Sequence, residues 1–155
     1  MKCIKNSLIY VLILATALCS FSACGKKDNT AEVKRVAQGY LDSACVFNYE
    51  EALKYVAKDS EQYTALKETS AQQQDAQFID AVKKVVTYKL GDITVSEDGT
   101  DATAKFKLSS PDFSNQPEGE YSTLDEYVAK LGTVEVERTL KFKLIDDEWK
   151  ITDII

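Results

Sequence analysis

The chain has 155 residues, a formal net charge of −6, four cysteines and no histidine. Nucleic-acid phosphates require clusters of Lys and Arg, and this acidic chain has none, so we exclude nucleic-acid binding. The absence of histidine excludes Ser-His-Asp and Cys-His catalysis, and also histidine-ligated zinc, copper and haem sites. Any catalysis would depend on carboxylates, tyrosines or lysines.

The first 23 residues have the pattern of an export signal. Lys2 and Lys5 form a basic end, and the apolar run SLIYVLILATALCSF follows. At the end of this run, Phe21-Ser22-Ala23-Cys24 resemble a bacterial lipobox, in which Phe21 replaces the usual leucine. The resemblance implies transfer of a diacylglyceryl group to the Cys24 sulfur and cleavage of the chain before Cys24.

A lipobox predicts three regions in the chain. Residues 1–23 are a lipoprotein signal peptide, residues 24–30 are the lipidated cysteine and a tether, and residues 31–155 are one domain. Acyl chains such as palmitate would hold this domain on the extracytoplasmic face of a bacterial cell membrane. The tether spans ~12–15 Å as a flexible coil, so the domain is expected close to the bilayer surface.

Ordinary secretion and a retained signal anchor are the alternatives to lipidation. Leu8 to Ala23 is about sixteen residues, shorter than the ~20 that cross a bilayer as a helix. Lysines flank both ends of the segment, so the charge bias that sets orientation is weak. Each alternative still places residues 31–155 outside the cytoplasm.

The mature part has about 130 residues, enough for a core without disulfides. It keeps 17 basic and 25 acidic side chains, a formal charge near −8. Cys45 is its only cysteine besides Cys24, so no intramolecular disulfide is expected. Because Cys45 lies on the apolar side of a helical pattern, we interpret it as a small buried hydrophobe.

Helices are predicted in the first half of the domain. Apolar residues recur with a period of 3.6 from Thr30 to about Phe47, with Asn29 or Thr30 as N-cap. Asn48 is predicted to cap a second helix, and residues 59–60 open a third. The polar segment SAQQQ reads as a loop or helix end, and Asp75 is predicted to cap the next helix.

From Tyr88 the apolar period changes to two, which predicts strands. The inward face of the first strand switches near Gly91, and this switch indicates a β-bulge. Asp98-Gly99 predicts a hairpin turn, and residues 102–108 form the returning strand.

The segment after the second strand, SSPDFSNQPEGE, is predicted to be a loop. Thr123 and Glu126 have the spacing of a capping box for a helix that Gly132 ends. Two final strands are predicted, joined at Asp146-Asp147. Their inward positions are Val134, Val136, Leu140, Phe142 and Leu144, then Trp149 and Ile151.

Helices followed by an antiparallel sheet indicate the α+β class. Two segments, YKLGDITVSEDGTDATAKFKL and TLKFKLIDDEWKITDI, resemble bacterial lipoproteins of unknown function with the nuclear transport factor 2-like (cystatin-like) fold. The resemblance implies a long N-terminal helix packed in a curved sheet. It also implies a cavity between them, which relatives use for small ligands, dimerisation or catalysis. The helix at 123–131 departs from the pattern and leaves the strand order open.

Arg138 is the first candidate for a binding residue, because it occupies an inward position of its strand. A cation there must be paired or reach water. It either recognises an anion at the cavity mouth or has a structural role, for example at a bulge or in a pair with Asp92. Tyr40 and Tyr88 are the other candidate ligand-binding residues.

Isomerases and dehydratases of this fold place an acid with tyrosines in an apolar pocket, where burial raises the carboxyl pKa. Asp42, Asp80 and Asp92 are the acids considered, but Asp42 and Asp80 fall on polar helix faces. The acidic groups near residues 97–101 and 146–148 lack calcium-site spacing and are interpreted as solvated turns. We predict no catalytic residue, metal or cofactor.

The sequence therefore favours a membrane-anchored extracytoplasmic binding module that is not an enzyme. Besides membrane lipid through Cys24, its partner would be a small molecule, a peptide or an envelope protein. One alternative is a carboxylate-dependent enzyme in the same cavity. Another is an auxiliary subunit of an envelope complex, with homodimer formation through the open face of the sheet.

Overall fold

The computed structural model describes residues 29–71, 75–115 and 117–155. The predicted signal peptide, Cys24 and most of the tether lie outside the described residues, as does most of the polar segment at 70–74. Within the described ranges, no helix is both long and apolar enough to cross a membrane.

Five α-helices lie in the described residues. In chain order they are α1 (Asn29–Cys45), α2 (Tyr49–Ala52), α3 (Glu61–Ser70), α4 (Ala76–Lys83) and α5 (Leu124–Lys130). A 3₁₀ turn, Leu53–Tyr55, continues α2. Because α1 already includes Asn29 and Thr30, neither residue caps it from outside as predicted.

Three of the predicted N-caps are confirmed. The side chain of Asn48 accepts a 3.2 Å hydrogen bond from the backbone N–H of Glu51 at the start of α2. Ser60 accepts a 3.1 Å bond at the start of α3, and Asp75 accepts two at the start of α4. Each cap satisfies backbone donors that have no partner inside the helix.

The helix between the second and third strands is also capped as predicted. Thr123 Oγ1 accepts a 3.1 Å hydrogen bond from the Glu126 N–H. The Glu126 carboxylate bonds the N–H of Ser122 at 3.2 Å, one residue before the capping-box position. Gly132 follows the helix with φ +75°, a conformation that glycine adopts without steric cost.

α1 ends two residues earlier than predicted, in a Schellman motif. The Phe47 N–H donates to the Ala44 carbonyl at 3.0 Å, and the Asn48 N–H donates to the Ser43 carbonyl at 2.9 Å. The motif requires a left-handed residue, usually glycine, and here Phe47 takes that position with φ 60°. A bulky side chain is rare in this conformation.

Four antiparallel strands form one sheet in the order β1-β2-β3-β4. They are β1 (Thr87–Val95), β2 (Asp101–Pro111), β3 (Thr133–Ile145) and β4 (Glu148–Ile154). The register shift between Leu90 and Ile93 confirms the predicted bulge in β1. Although α5 lies between β2 and β3 in sequence, the two strands pair directly, so the order is sequential.

β2 is longer than predicted, because the first residues of the expected loop continue the strand. Ser109, Ser110 and Pro111 pair with β3. Pro111 is tolerated because it is the last residue of the strand, where a missing N–H is least disruptive.

Acidic residues shape both hairpin turns. Asp98 accepts hydrogen bonds from Ser96 Oγ at 2.5 Å and from the Thr100 N–H at 3.2 Å. Asp146 and Asp147 both have positive φ, 49° and 63°, as a two-residue type I′ turn requires.

The core lies between α1 and one face of the sheet. The buried residues of α1 are Val33, Val36, Ala37, Tyr40, Leu41 and Ser43. The sheet contributes mainly Ala102, Ala104, Phe106, Leu140, Phe142, Trp149 and Ile151. Val134, predicted to face inward, is 40% exposed at the start of β3. A smaller apolar cluster joins α4 to α5.

Candidate ligand-binding cavity

A cavity of about 320 Å³ lies between the C-terminal half of α1, the end of α4 and the sheet. Its volume is at the lower end of the ~300–1,000 Å³ of ligand pockets. Apolar side chains from all three elements form its wall, including Leu41, Ala44, Val82, Val86, Phe106 and Leu108.

Arg138 is the charged side chain that lines this cavity. In the sheet it stands opposite Phe106, whose ring is buried in the cavity wall. Arg138 is exposed, so we place it at the cavity mouth. Its Nη1 donates a 3.2 Å hydrogen bond to the Glu137 carbonyl. Among the described residues no carboxylate forms an ion pair with it, and the pairing considered with Asp92 is not formed.

Tyr40 also lines the cavity and is 5% exposed. Burial raises the pKa of Tyr40, and a side-chain hydrogen bond with Gln62 opposes this rise only in part. The phenol therefore remains neutral at physiological pH. Two of the three candidate ligand-binding residues, Tyr40 and Arg138, therefore line the same cavity.

Tyr88 is not among the residues that line this cavity. Its hydroxyl donates a 2.6 Å hydrogen bond to Asp42 on α1. Burial, followed by this hydrogen bond and the charge of Asp42, raises the pKa of Tyr88 to about 12. The structure therefore separates Tyr88 from the other two candidates.

Cys45 lines the cavity from the end of α1. Burial, with a smaller effect of the Asp42 charge, raises the pKa of the Cys45 thiol to about 11. A thiol is nucleophilic only when it is deprotonated, so Cys45 is unreactive near neutral pH. Cys45 is half-buried and not fully buried as predicted, and its protonated thiol is consistent with a packing role.

The acids considered for catalysis lie elsewhere. Asp42 is exposed and bonds Tyr88, and Asp80 is exposed and forms a 3.4 Å ion pair with Lys83. Asp92 borders a separate depression of about 290 Å³ that lysines of β1 and β2 surround. In the described part of the chain, no carboxylate lines the apolar cavity.

Other concave surfaces are less suited to an apolar ligand. A depression of about 760 Å³ near the start of α5 is larger, but Asp80, Lys84 and Asp125 line it. Lys84 and Asp125 form a 2.5 Å ion pair across it. Over the described ranges, no cluster of three or more potential metal ligands is found.

Sequence reasoning missed two aromatic residues of the cavity, Phe47 and Phe113. Phe113 is 50% exposed, and its ring centroid lies 6.0 Å from that of Phe78 on α4. Phe47 lies where the predicted first helix was expected to end, and Phe113 lies in the predicted loop, so periodicity assigned neither residue to a face. A large apolar residue inside the polar segment SSPDFSNQPEGE was the available signal for Phe113.

The chain matches no protein-family model and no curated protein. It is similar to a nuclear transport factor 2-like protein of unknown function from Shewanella oneidensis MR-1, with 11% identity and a TM-score of 0.50 over 81% of this chain and 95% of that chain. It is also similar to a protein of unknown function with a cystatin-like fold from Nostoc punctiforme PCC 73102, with 11% identity and a TM-score of 0.50 over 80% and 86% of the two chains.

A third similar structure is a ketosteroid isomerase-like protein from Erwinia carotovora atroseptica SCRI1043, with 10% identity and a TM-score of 0.49 over 83% of this chain and 94% of that chain. Identities this low concern the fold and not the activity. The same fold is indicated by the helices, by the sequential antiparallel sheet and by the first two of these similarities. The chain has the nuclear transport factor 2-like, or cystatin-like, α+β fold.

Proposed function

We propose that this protein is a membrane-anchored extracytoplasmic binding module, not an enzyme, whose ligand occupies the cavity between α1, α4 and the sheet. The proposal rests on the composition of the cavity wall. Most of its side chains are apolar, Arg138 is charged, Tyr40 and Ser110 carry hydroxyls, and no described side-chain carboxylate lines it. Apolar pockets with few polar groups are typical ligand sites.

The position of the acids favours binding over catalysis. A carboxylate base needs an apolar pocket to raise its pKa and must reach the substrate. Among the described residues, Asp42 and Tyr88 are the acid and tyrosine that share a hydrogen bond, and Asp42 is exposed outside the cavity. The pair therefore lacks the surroundings that the enzyme alternative requires.

The open face of the sheet gives little support for dimer formation. Lys105, Lys107 and Lys143 are exposed there, and Lys107 lies 3.8 Å from Glu137. Stable dimer interfaces are usually more apolar than this surface. A binding site in the cavity is therefore preferred to an auxiliary role through this face.

The membrane placement rests on the lipobox at residues 21–24. Intact-mass and peptide mass spectrometry of the protein from bacterial membranes tests it. We expect a chain that begins at Cys24 with lipid on the sulfur, and a Cys24→Ala variant that keeps its signal peptide. A wild-type chain with a bare Cys24 and an attached signal peptide would contradict the placement.

The binding proposal is tested by filling the cavity. Ala44 lines it, whereas Gln38 is an exposed residue of the same helix. Compounds released from the denatured wild-type protein are identified by mass spectrometry. We expect an apolar compound in the wild type and in Gln38→Trp, and its loss in Ala44→Trp. Equal retention by Ala44→Trp, or no compound in the wild type, would count against the cavity as the site.

A further inference from the structure

We propose that the ligand is an amphipathic monoanion with an apolar body of moderate length and one terminal carboxylate or similar acidic group. The inference rests on the proposed function and specifies the ligand class of the same cavity. The apolar body would occupy the cavity, and the acidic group would bind Arg138.

The cavity wall selects the apolar body. Leu41, Val82 and Phe106 are each at most 5% exposed, and they line the cavity from α1, α4 and β2. A polar body would lose its hydrogen bonds to water, and the hydroxyls of Tyr40 and Ser110 could replace only a few of them. The volume of about 320 Å³ favours a medium-length chain or a small ring system over a long lipid.

The charge at the mouth selects the sign of the head group. Arg138 uses Nη1 for a backbone carbonyl and forms no ion pair within the described residues. A guanidinium presents five N–H donors in a planar fork that fits a carboxylate. No described side-chain carboxylate lines the cavity, so a cationic head group at the position of Arg138 would meet a like charge instead of a counter-charge.

The number of charges favours a monoanion. Arg138 is the one cationic side chain among the described residues that line the cavity. A doubly charged phosphate monoester would leave one negative charge without a partner in a largely apolar site. The Asp42 charge acts on Cys45 at the α1 side of the cavity, which further favours an acidic group placed at Arg138.

Cys45 supplies a reporter for occupancy, because its thiol lines the cavity and a bound ligand would cover it. The mature protein, purified from bacterial membranes and placed in phosphatidylcholine nanodiscs, is treated with N-ethylmaleimide at about pH 9, where some thiolate is present. Peptide mass spectrometry then follows Cys45 modification in the presence of decanoate, decanol or decyltrimethylammonium. All protein variants contact the same bilayer, so probe uptake by lipid cancels in comparisons between them. Comparisons between probes use the measured concentration of free probe.

We expect decanoate to protect Cys45 at about tenfold lower concentration than decanol, because a charge-assisted hydrogen bond contributes to its binding. Decyltrimethylammonium should protect least. Arg138→Gln should remove the preference for decanoate. Arg35→Gln is the matched control: it makes the same charge change at the chain's other arginine, which is exposed on α1, and it should keep the preference.

Arg138→Lys keeps a cation at this position and serves as a second variant in case Arg138→Gln does not fold. It should retain part of the preference for decanoate. Equal protection by decanol and decanoate in the wild type, or an unchanged preference in Arg138→Gln, overturns the ligand class and leaves the cavity as a binding site. No protection by any probe would overturn the proposed function as well.

Discussion

The Tyr88 hydroxyl donates a 2.6 Å hydrogen bond to Asp42, and this contact joins the edge strand β1 to α1. Burial and the Asp42 carboxylate raise the pKa of Tyr88 from 10.0 to about 12. The protonated phenol is therefore favoured more in the folded chain than in the unfolded one. Its contribution to stability is complete below pH 10 and is lost as the pH rises toward 12.

Tyr88→Phe should consequently reduce the loss of stability between pH 10 and pH 12. The check is the urea midpoint at several alkaline pH values, together with the tyrosinate absorbance titration. The Phe variant should lack the tyrosine that titrates near pH 12. Asp42→Asn keeps a hydrogen-bond acceptor but removes the charge, so it should lower the pKa of Tyr88. Identical alkaline curves for wild type and Tyr88→Phe would contradict this assignment.

A second prediction concerns the close approach of the Tyr55 ring to Gly39 on α1. A Cβ at Gly39 would lie 2.5 Å from the Tyr55 hydroxyl oxygen and 2.6 Å from Cε1, closer than real contacts allow. Because Tyr55 is only half-buried, its ring can move aside in part, so Gly39→Ala should decrease the free energy of unfolding by less than the ~1–3 kcal/mol of core overpacking. In a Tyr55→Ala background the same change should be stabilising by up to ~1 kcal/mol, since alanine favours the helix. Urea denaturation of the four proteins tests both signs.

The type I′ turn at Asp146-Asp147 offers a stabilising substitution. Asp147 has φ 63°, which carries a steric penalty for a residue with a Cβ. Asp147→Gly should raise the free energy of unfolding by up to ~1 kcal/mol without a change in the m-value. Asp147→Ala is the control and should destabilise the protein. A lower urea midpoint for the glycine variant would show that the aspartate side chain stabilises the turn.

Trp149 is 2% exposed, and its Nε1–H has no hydrogen-bond partner among the described residues. An unsatisfied buried donor costs about 1–3 kcal/mol. Trp149→Phe removes this donor while it loses packing volume, so we expect a net destabilisation below ~1.5 kcal/mol. Trp149→Ala should cost about 3–5 kcal/mol because it leaves a large cavity. Chemical denaturation measures the free energy of unfolding of both variants. A loss in Trp149→Phe as large as that in Trp149→Ala would mean that the indole N–H contributes favourably to stability.

Local chemistry explains why much of the fold was predictable. The N-caps Asn48, Ser60 and Asp75 act within three residues of their own positions, so the sequence around them is sufficient evidence. The switch of face at Gly91 likewise predicted the bulge in β1. Alternation alone identified β2 and the inward residues of β4.

Other features depend on contacts between distant segments. Ser109 to Pro111 belong to β2 because β3 offers them partners, and no local signal shows that pairing. Val134 follows the inward alternation, yet little packs over it at the start of β3. Tyr88 was considered for the cavity, but its hydroxyl bonds Asp42 on α1 instead. Only the assembled fold separates it from Arg138 and Tyr40.

Phe47 places an aromatic ring in the cavity wall while its backbone adopts the left-handed conformation that ends α1. That conformation carries about 1–2 kcal/mol of steric strain for a residue other than glycine. Glycine would relax the backbone and at the same time remove part of the wall. Glycine would therefore suit the backbone conformation at this position, whereas an aromatic side chain suits the shape of the cavity. The chain has the aromatic residue and carries the strained backbone.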